Sequence, residues 1–225
     1  MLRNATLLSV AALLSAPAAY AQTDALQAAA ASAVSDFNAR ASEIITDKGL
    51  SASARFTQFR ALLDKTYALD FLARFLGGDA YTKATPDQQA AYKSVFPNYV
   101  TALYLDQFGK LVGKTQRQVS IRTVGASEVF VRTEVKRTSG APATLEWRVR
   151  KGADGQFRIV DVATEGVSNA LGKRAEFAAF ARDKGFDALI ADLKKRGAPP
   201  QGKRWLLAPV QRRPVRVLIG PSALP

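Results

Sequence analysis

Asp161 and Glu165 sit four residues apart at the end of a run of alternating apolar residues, and they are the carboxyl groups best placed for acid–base work. Two structural roles compete with that reading: Glu165 capping the helix that follows, and Asp161 hydrogen-bonding locally. The structural roles are the expectation, with Asp161 as a base in an apolar pocket kept as the catalytic alternative. No other familiar constellation is available, because the chain contains neither histidine nor cysteine. That excludes Ser-His-Asp and Cys-His nucleophiles, histidine bases and nearly all zinc sites. Gly109-Lys110-Leu111-Val112-Gly113-Lys114-Thr115 imitates a phosphate-binding loop, but it is one residue short between its glycines. It also follows a helical pattern and precedes a strand pattern, the reverse of what a phosphate cradle needs. The chain is expected not to be an enzyme and to hold no metal or cofactor.

The elements around these residues are read from hydrophobic period. From Asp24 to Ile45 the residues Leu26, Ala30, Ala33, Val34, Phe37, Ala41, Ile44 and Ile45 recur at helical spacing, and Lys48-Gly49 closes that segment. A second helix starts at a Ser51 or Ser53 cap and carries Phe56, Phe59, Leu62, Leu63 and Tyr67. A third, short one runs from Asp70 to Leu76, where Gly77-Gly78 stops it. Thr85-Pro86-Asp87-Gln88 combines an N-cap, a proline at the first helical position, an early acid and a capping-box glutamine. The helix behind it reaches about Phe108 with Tyr92, Phe96, Tyr99 and Tyr104 near one stripe, and Pro97 should kink or interrupt it.

Near Gln116 the period falls from 3.6 to 2. Val119/Ile121, Val129/Val131/Val135, Leu145/Trp147/Val149 and Phe157/Ile159 alternate with polar neighbours, which makes four strands. Short connections at Gly125-Ala126, Ser139-Gly140 and Ala153-Asp154-Gly155 imply an antiparallel meander with one packed and one wet face. After Glu165-Gly166 the helical period returns in two helices separated at Lys184-Gly185, with Phe177, Phe180, Phe186, Leu189, Ile190 and Leu193 on their apolar side. The fold class is therefore α+β, a four-stranded antiparallel sheet packed against several helices. Such a curved sheet can enclose a hydrophobic cavity.

Arg3, the apolar run from Leu7 to Leu14 and Ala19-Tyr20-Ala21 read as a secretory signal peptide over residues 1–21, cut before Gln22. The apolar run is shorter than the roughly 20 residues a membrane span needs. Residues 22–196 form the folded domain, and 197–225, rich in proline and arginine and free of acids, read as an unstructured basic tail. The formal charge is +13; one unit sits on Arg3 and six in the last thirty residues, which leaves +6 on residues 22–195. Export makes nucleic acid an improbable partner for a basic chain and an anionic membrane surface, contacted transiently, a more natural one.

Several runs resemble one family, MlaC, the toluene-tolerance auxiliary family and periplasmic lipid-binding component of the Mla lipid-asymmetry pathway. They are Arg60 to Leu76, the Thr85-Pro86-Asp87-Gln88 start with its helix to Tyr104, and the strand ending Phe157-Arg158-Ile159-Val160-Asp161-Val162. The most specific is Glu165-Gly166-Val167-Ser168, followed by Arg174, Phe177 and Gly185-Phe186-Asp187-Ala188-Leu189-Ile190. The likeness spans about residues 30–195; Pro97 and the basic tail depart from it.

The resemblance implies a periplasmic shuttle that carries phospholipid between an outer-membrane lipoprotein complex and an inner-membrane ABC transporter complex. At about 0.8 kcal/mol per methylene, two sixteen-carbon tails represent on the order of 25 kcal/mol of gross transfer cost into water, so a carrier must supply an apolar interior. On this chain the tails would contact Phe59, Leu62, Leu63, Tyr67, Phe71, Phe75, Tyr92, Phe96, Tyr99 and Tyr104 on the helices. On the sheet they would meet Val119, Ile121, Val129, Val131, Trp147, Val149 and Ile159, and Arg74 and Arg174 are candidates for the headgroup. A hopanoid or other lipid cargo for a relative in the same family, and a non-catalytic periplasmic adaptor whose aromatic residues are only core, stay open as alternatives.

Overall fold

A computed structural model describes residues 16–200 except 110–115 and 138, with side chains from residue 22. The phosphate-loop imitation apart from its first residue, Gly109, the residues before Ala16 and the tail from 201 onward lie outside the described residues. Four helices lead, α1 (Ala16–Thr46), α2 (Ala52–Thr66), α3 (Leu69–Lys83) and α4 (Pro86–Gly109). The sheet follows as β1 (Gln116–Val124), β2 (Glu128–Val135), β3 (Ala143–Lys151), β4 (Phe157–Thr164) and β5 (Val167–Ser168), and α5 (Asn169–Lys184) and α6 (Phe186–Arg196) close the fold. The order helices, sheet, helices is the expected α+β arrangement.

The sheet is an antiparallel meander, β1-β2-β3-β4-β5, with five strands where the period-2 pattern indicates four. The fifth has two residues, Val167 and Ser168, paired with Thr164 and Ala163, and so short a strand leaves no alternation to read. Cross-strand register places Ile121 opposite Val131, Val131 opposite Trp147 and Val149 opposite Ile159. These residues share the inner face. Val119 falls at the irregularity between Gln118 and Ser120, outside the paired ladder.

Aromatic side chains fill that face. Phe37 of α1 has no exposed surface and stands edge-on to Tyr67, Phe108 and Trp147, at centroid distances of 5.3, 5.2 and 5.8 Å. Phe108 stacks on Trp147 at 5.9 Å, so α1, α4 and the sheet meet in one cluster. The indole N–H of Trp147 donates to Thr133 Oγ1 at 3.0 Å, which removes the cost of burying it.

Helix ends follow local chemistry. Ser51 caps α2 by accepting from the Ala54 N–H. At α4 the capping box closes in both directions, Gln88 N–H to Thr85 Oγ1 at 3.2 Å and Thr85 N–H to Gln88 Oε1 at 3.1 Å. Buried Arg55 closes the other end of α1, donating from Nε to the Ile44 carbonyl at 3.1 Å and from Nη2 to the Asp47 carbonyl at 2.5 Å. A cation there also meets the negative end of the helix dipole. α1 is already helical at Ala16, the first described residue, ahead of the expected start near Asp24.

Two expectations are corrected. α3 does not stop at Gly77-Gly78: it turns there, with Gly78 at φ 50° and ψ −136°, and continues to Lys83. Glycine alone adopts that backbone readily, so one residue redirects the helix without ending it. Of the two outcomes expected at Pro97, a kink or an interruption, the interruption does not occur: α4 runs through the proline as one helix. Tyr92 and Phe96 before the proline and Tyr99 and Val100 after it are all buried, and this packing holds both halves in one helix at the cost of one backbone hydrogen bond.

On the wet face Glu128 accepts from Arg148 Nε and Nη2 at 2.9 and 2.7 Å and from Arg150 Nε at 2.7 Å, with Arg150 Nη2 also paired. Desolvation raises its pKa, but the two guanidinium groups outweigh this and hold the carboxyl below its ordinary value. A lowered folded pKa stabilises the protein above the unfolded carboxylate value, and that contribution disappears as pH falls through the lowered one. Glu128→Gln is therefore expected to cost about 1–3 kcal/mol in urea unfolding at pH 7, with the difference from wild type shrinking toward pH 3.

Candidate functional site

Two pockets flank α4. The larger, about 480 Å³, opens where α2 gives way to α3 and is bounded by Tyr67, Leu69, Phe71, Phe96 and Pro97, with Asp64, Asp70, Lys93 and Arg158 also in its wall. Asp70 lies within salt-bridge distance of both Arg74, at 2.5 Å, and Lys93, at 3.1 Å. The smaller, about 200 Å³, lies between α3, α4 and the β5–α5 corner. Its wall is Leu72, Leu76, Phe96, Tyr99, Val100, Leu103 and Tyr104 on the helices and Val167, Ser168, Ala170, Gly172 and Lys173 opposite, with Gln107 and Asn169 completing it. Among the described residues Lys173 is the one charged group there, and a long apolar wall with a single such cation suits an amphiphile better than the charged pocket does.

The elements around the smaller pocket are fixed by local contacts. Asp161 accepts from the Ala170 N–H at 3.0 Å and from the Ser168 hydroxyl at 2.5 Å, while Ser168 Oγ accepts from the Leu171 N–H. Both carboxylate oxygens of Asp161 are thus used to start α5. Glu165 is exposed and pairs with Arg137 at 2.5 Å, so the helix is capped by Ser168 and Asp161 and not by Glu165. On the opposite wall, Leu72 and Leu76 are presented by the part of α3 before its turn at Gly78, and Arg174 lies within 4 Å of where a side chain on Gly78 would begin.

The helical residues picked out by sequence divide among several environments. Tyr67 and Phe71 border the larger pocket, Tyr99 and Tyr104 the smaller, and Phe96 both. Phe59, Leu63 and Tyr92 are core, and Leu62 is half-buried against it. Phe75 stacks on Phe71 at 5.9 Å. On the sheet, Val129, Val131, Trp147, Val149 and Ile159 are sealed beneath the aromatic cluster, with Val119 and Ile121 half-buried on the first strand. In this closed arrangement the open volume is beside the sheet's inner face and not on it. Arg74 is neutralised by Asp70, whereas Arg174 makes no ion pair among the described residues and lies over Phe75 at 4.8 Å.

Sequence reasoning did not single out Lys173, Leu72, Leu76, Val100, Leu103 or Ala170. A usable signal was present for Lys173, which stands four residues before buried Phe177 on α5 and therefore shares its inward side. It pairs with Glu176 at 2.5 Å. Arg196 of α6 caps the same region, its guanidinium 4.8 Å from the Tyr99 ring. No group of three or more metal-ligating acids, and no helix long and apolar enough to cross a membrane, occurs among the described residues.

Tyr67 is peculiar: its hydroxyl is buried and has no hydrogen-bond partner among the described residues. Burial pushes the phenol pKa well up, with Tyr104 and Asp161 adding to the effect, so it stays protonated. An unpartnered buried hydroxyl costs about 1–3 kcal/mol. Tyr67→Phe is accordingly expected to leave ligand-free stability unchanged or to raise it by up to about 2 kcal/mol, read by urea denaturation. A clear loss would mean that the hydroxyl has a partner in solution.

Comparison with known proteins supplies two findings. The family described as MlaC protein matches residues 35–195 of this chain. The fold is similar to that of a phospholipid-binding protein from Ralstonia solanacearum, solved in complex with a phospholipid, with a TM-score of 0.60 and 22% identity over 76% of this chain and 96% of that one.

Proposed function

This chain belongs to the MlaC family, and from that premise we propose that it is a periplasmic carrier which holds phospholipid acyl chains in the pocket between α3, α4 and α5. It shuttles lipid between an outer-membrane lipoprotein complex and an inner-membrane ABC transporter complex and performs no catalysis. Residues 1–21 are removed on export, residues 22–196 are the carrier and 197–225 form a basic extension. The observation that carries this reading is the pocket wall itself, Leu72, Leu76, Val100, Leu103 and Tyr104 facing α5 with Lys173 among them. An acyl chain gains from such a wall, and the ammonium group offers a phosphate a counter-charge. The Ralstonia solanacearum protein of similar fold, solved with a phospholipid, supports the same ligand class.

The pocket volume sets a mechanical requirement. About 200 Å³ is below the roughly 300–1,000 Å³ of common ligand sites, so the closed form admits a stretch of one chain and not two whole tails. Loading requires α3 and α5 to move apart beside α4, while the sheet and the Phe37 cluster stay in place. The turn at Gly78, against which Arg174 rests, is the joint on which α3 can give.

Native mass spectrometry of protein purified without detergent, followed by identification of the released lipid, tests the proposal. A phospholipid adduct is expected; a hopanoid would shift the cargo within the family, and a chain that is empty and accepts nothing from vesicles would favour the adaptor. Gly172 borders the pocket, and a Cβ added there meets no atom within 4 Å, so the side chain of Gly172→Trp starts in open space at the pocket rim. That variant is expected to fold normally and to lose most of its lipid adduct.

A further inference from the structure

The corner between β5 and α5 combines features that the pocket alone does not require. Val167 and Leu171 are 68% and 60% exposed, and with Val124 they are the exposed large hydrophobic residues among the described ones. Single exposed aliphatics are ordinary, but two within five residues, at the rim of an apolar pocket, form a patch. The same corner supplies the pocket wall through Val167, Ser168, Ala170, Gly172 and Lys173. It also projects from the sheet: β5 has two residues at the sheet edge and is reached through Glu165 and Gly166, both at positive φ. The first turn of α5 carries no acid, and Lys173 and Arg174 follow it. Lys173 is partly neutralised by Glu176, while Arg174 makes no ion pair among the described residues and lies over the Phe75 ring.

We propose that the β5–α5 corner docks on an anionic phospholipid bilayer, with Val167 and Leu171 entering the acyl boundary and Lys173 and Arg174 meeting lipid phosphates, so that lipid passes between bilayer and pocket at this point. The proposal rests on the carrier reading and names the partner surface of its site. Aliphatic side chains next to cations gain from both the apolar and the charged layers of such a surface. Continuity between patch and pocket then spares the acyl chain from crossing water.

The chain has no cysteine, so a single introduced one can carry a dye. Leu171→Cys and, as a control in the β3–β4 turn at the far end of the sheet, Ala153→Cys are labelled with an environment-sensitive fluorophore and titrated with vesicles of phosphatidylglycerol and phosphatidylcholine. The dye at 171 is expected to shift to the blue and to be quenched by lipids brominated along the chain, with no change at 153. Equal responses at both positions, or none at 171, overturn the proposal. In a second experiment, Leu171→Asp, at the rim and outside the pocket wall, is expected to keep the lipid it acquires during expression, seen by native mass spectrometry. It should load from the vesicles roughly ten-fold more slowly than wild type. Loading at the wild-type rate places the portal elsewhere and overturns the proposal. Absence of lipid from wild type and variant alike defeats the carrier reading, while the dye experiment still decides whether the corner inserts.

Discussion

One face of a twisted antiparallel sheet has to be kept from water, and in this chain a single ring, Phe37, is the point through which it is covered. It touches Phe59 and Tyr67 on the helical side, Phe108 at the end of α4 and Trp147 at the centre of the sheet. Because packed interiors tolerate little change in volume, this cluster fixes the distance between α1, α4 and the sheet. α3 and α5 lie outside that cluster, and the pocket lies between those two and α4.

That division assigns different duties to similar residues. Tyr92 and Tyr99 are both buried phenols on α4, yet Tyr92 donates its hydroxyl to the Ala73 carbonyl at 3.1 Å and ties α4 to α3. Tyr99 presents a wall to the pocket and takes Arg196 over its ring. Gly197 lies so close to the backbone of Asn98 and Tyr99 that a side chain there would clash, so the end of α6 is pressed against α4 just past Pro97. The proline keeps its place because both flanking turns are buried.

The carboxylates show why a site cannot be judged by residue type alone. Asp161 stands where a base would stand, at the end of a strand beside buried tyrosines, but its oxygens are both used by the first turn of α5. Glu165, four residues on, lies outside at Arg137. Sequence spacing brings them to one corner, and the reversal of the chain at Glu165 and Gly166 sends them apart.

The order of elements and most of their ends were legible from the chain alone, because period, caps and breakers act over a few residues: the change near Gln116, the Thr85–Gln88 box and the Ser51 cap need no knowledge of the rest. The lack of histidine and cysteine was equally decisive, since it removes whole classes of chemistry whatever the fold. Tertiary structure alone decided that α3 turns at Gly78 and continues, that α4 runs through Pro97 and that a two-residue strand joins the sheet. It also decided that the sheet's inner residues, Val131, Trp147 and Val149 among them, are filled over while Leu72, Val100, Leu103 and Lys173 face open space. The reason is that burial is a property of pairs of surfaces distant in the chain. An apolar stripe declares that it will be covered, but the space left uncovered depends on how closely its partners meet.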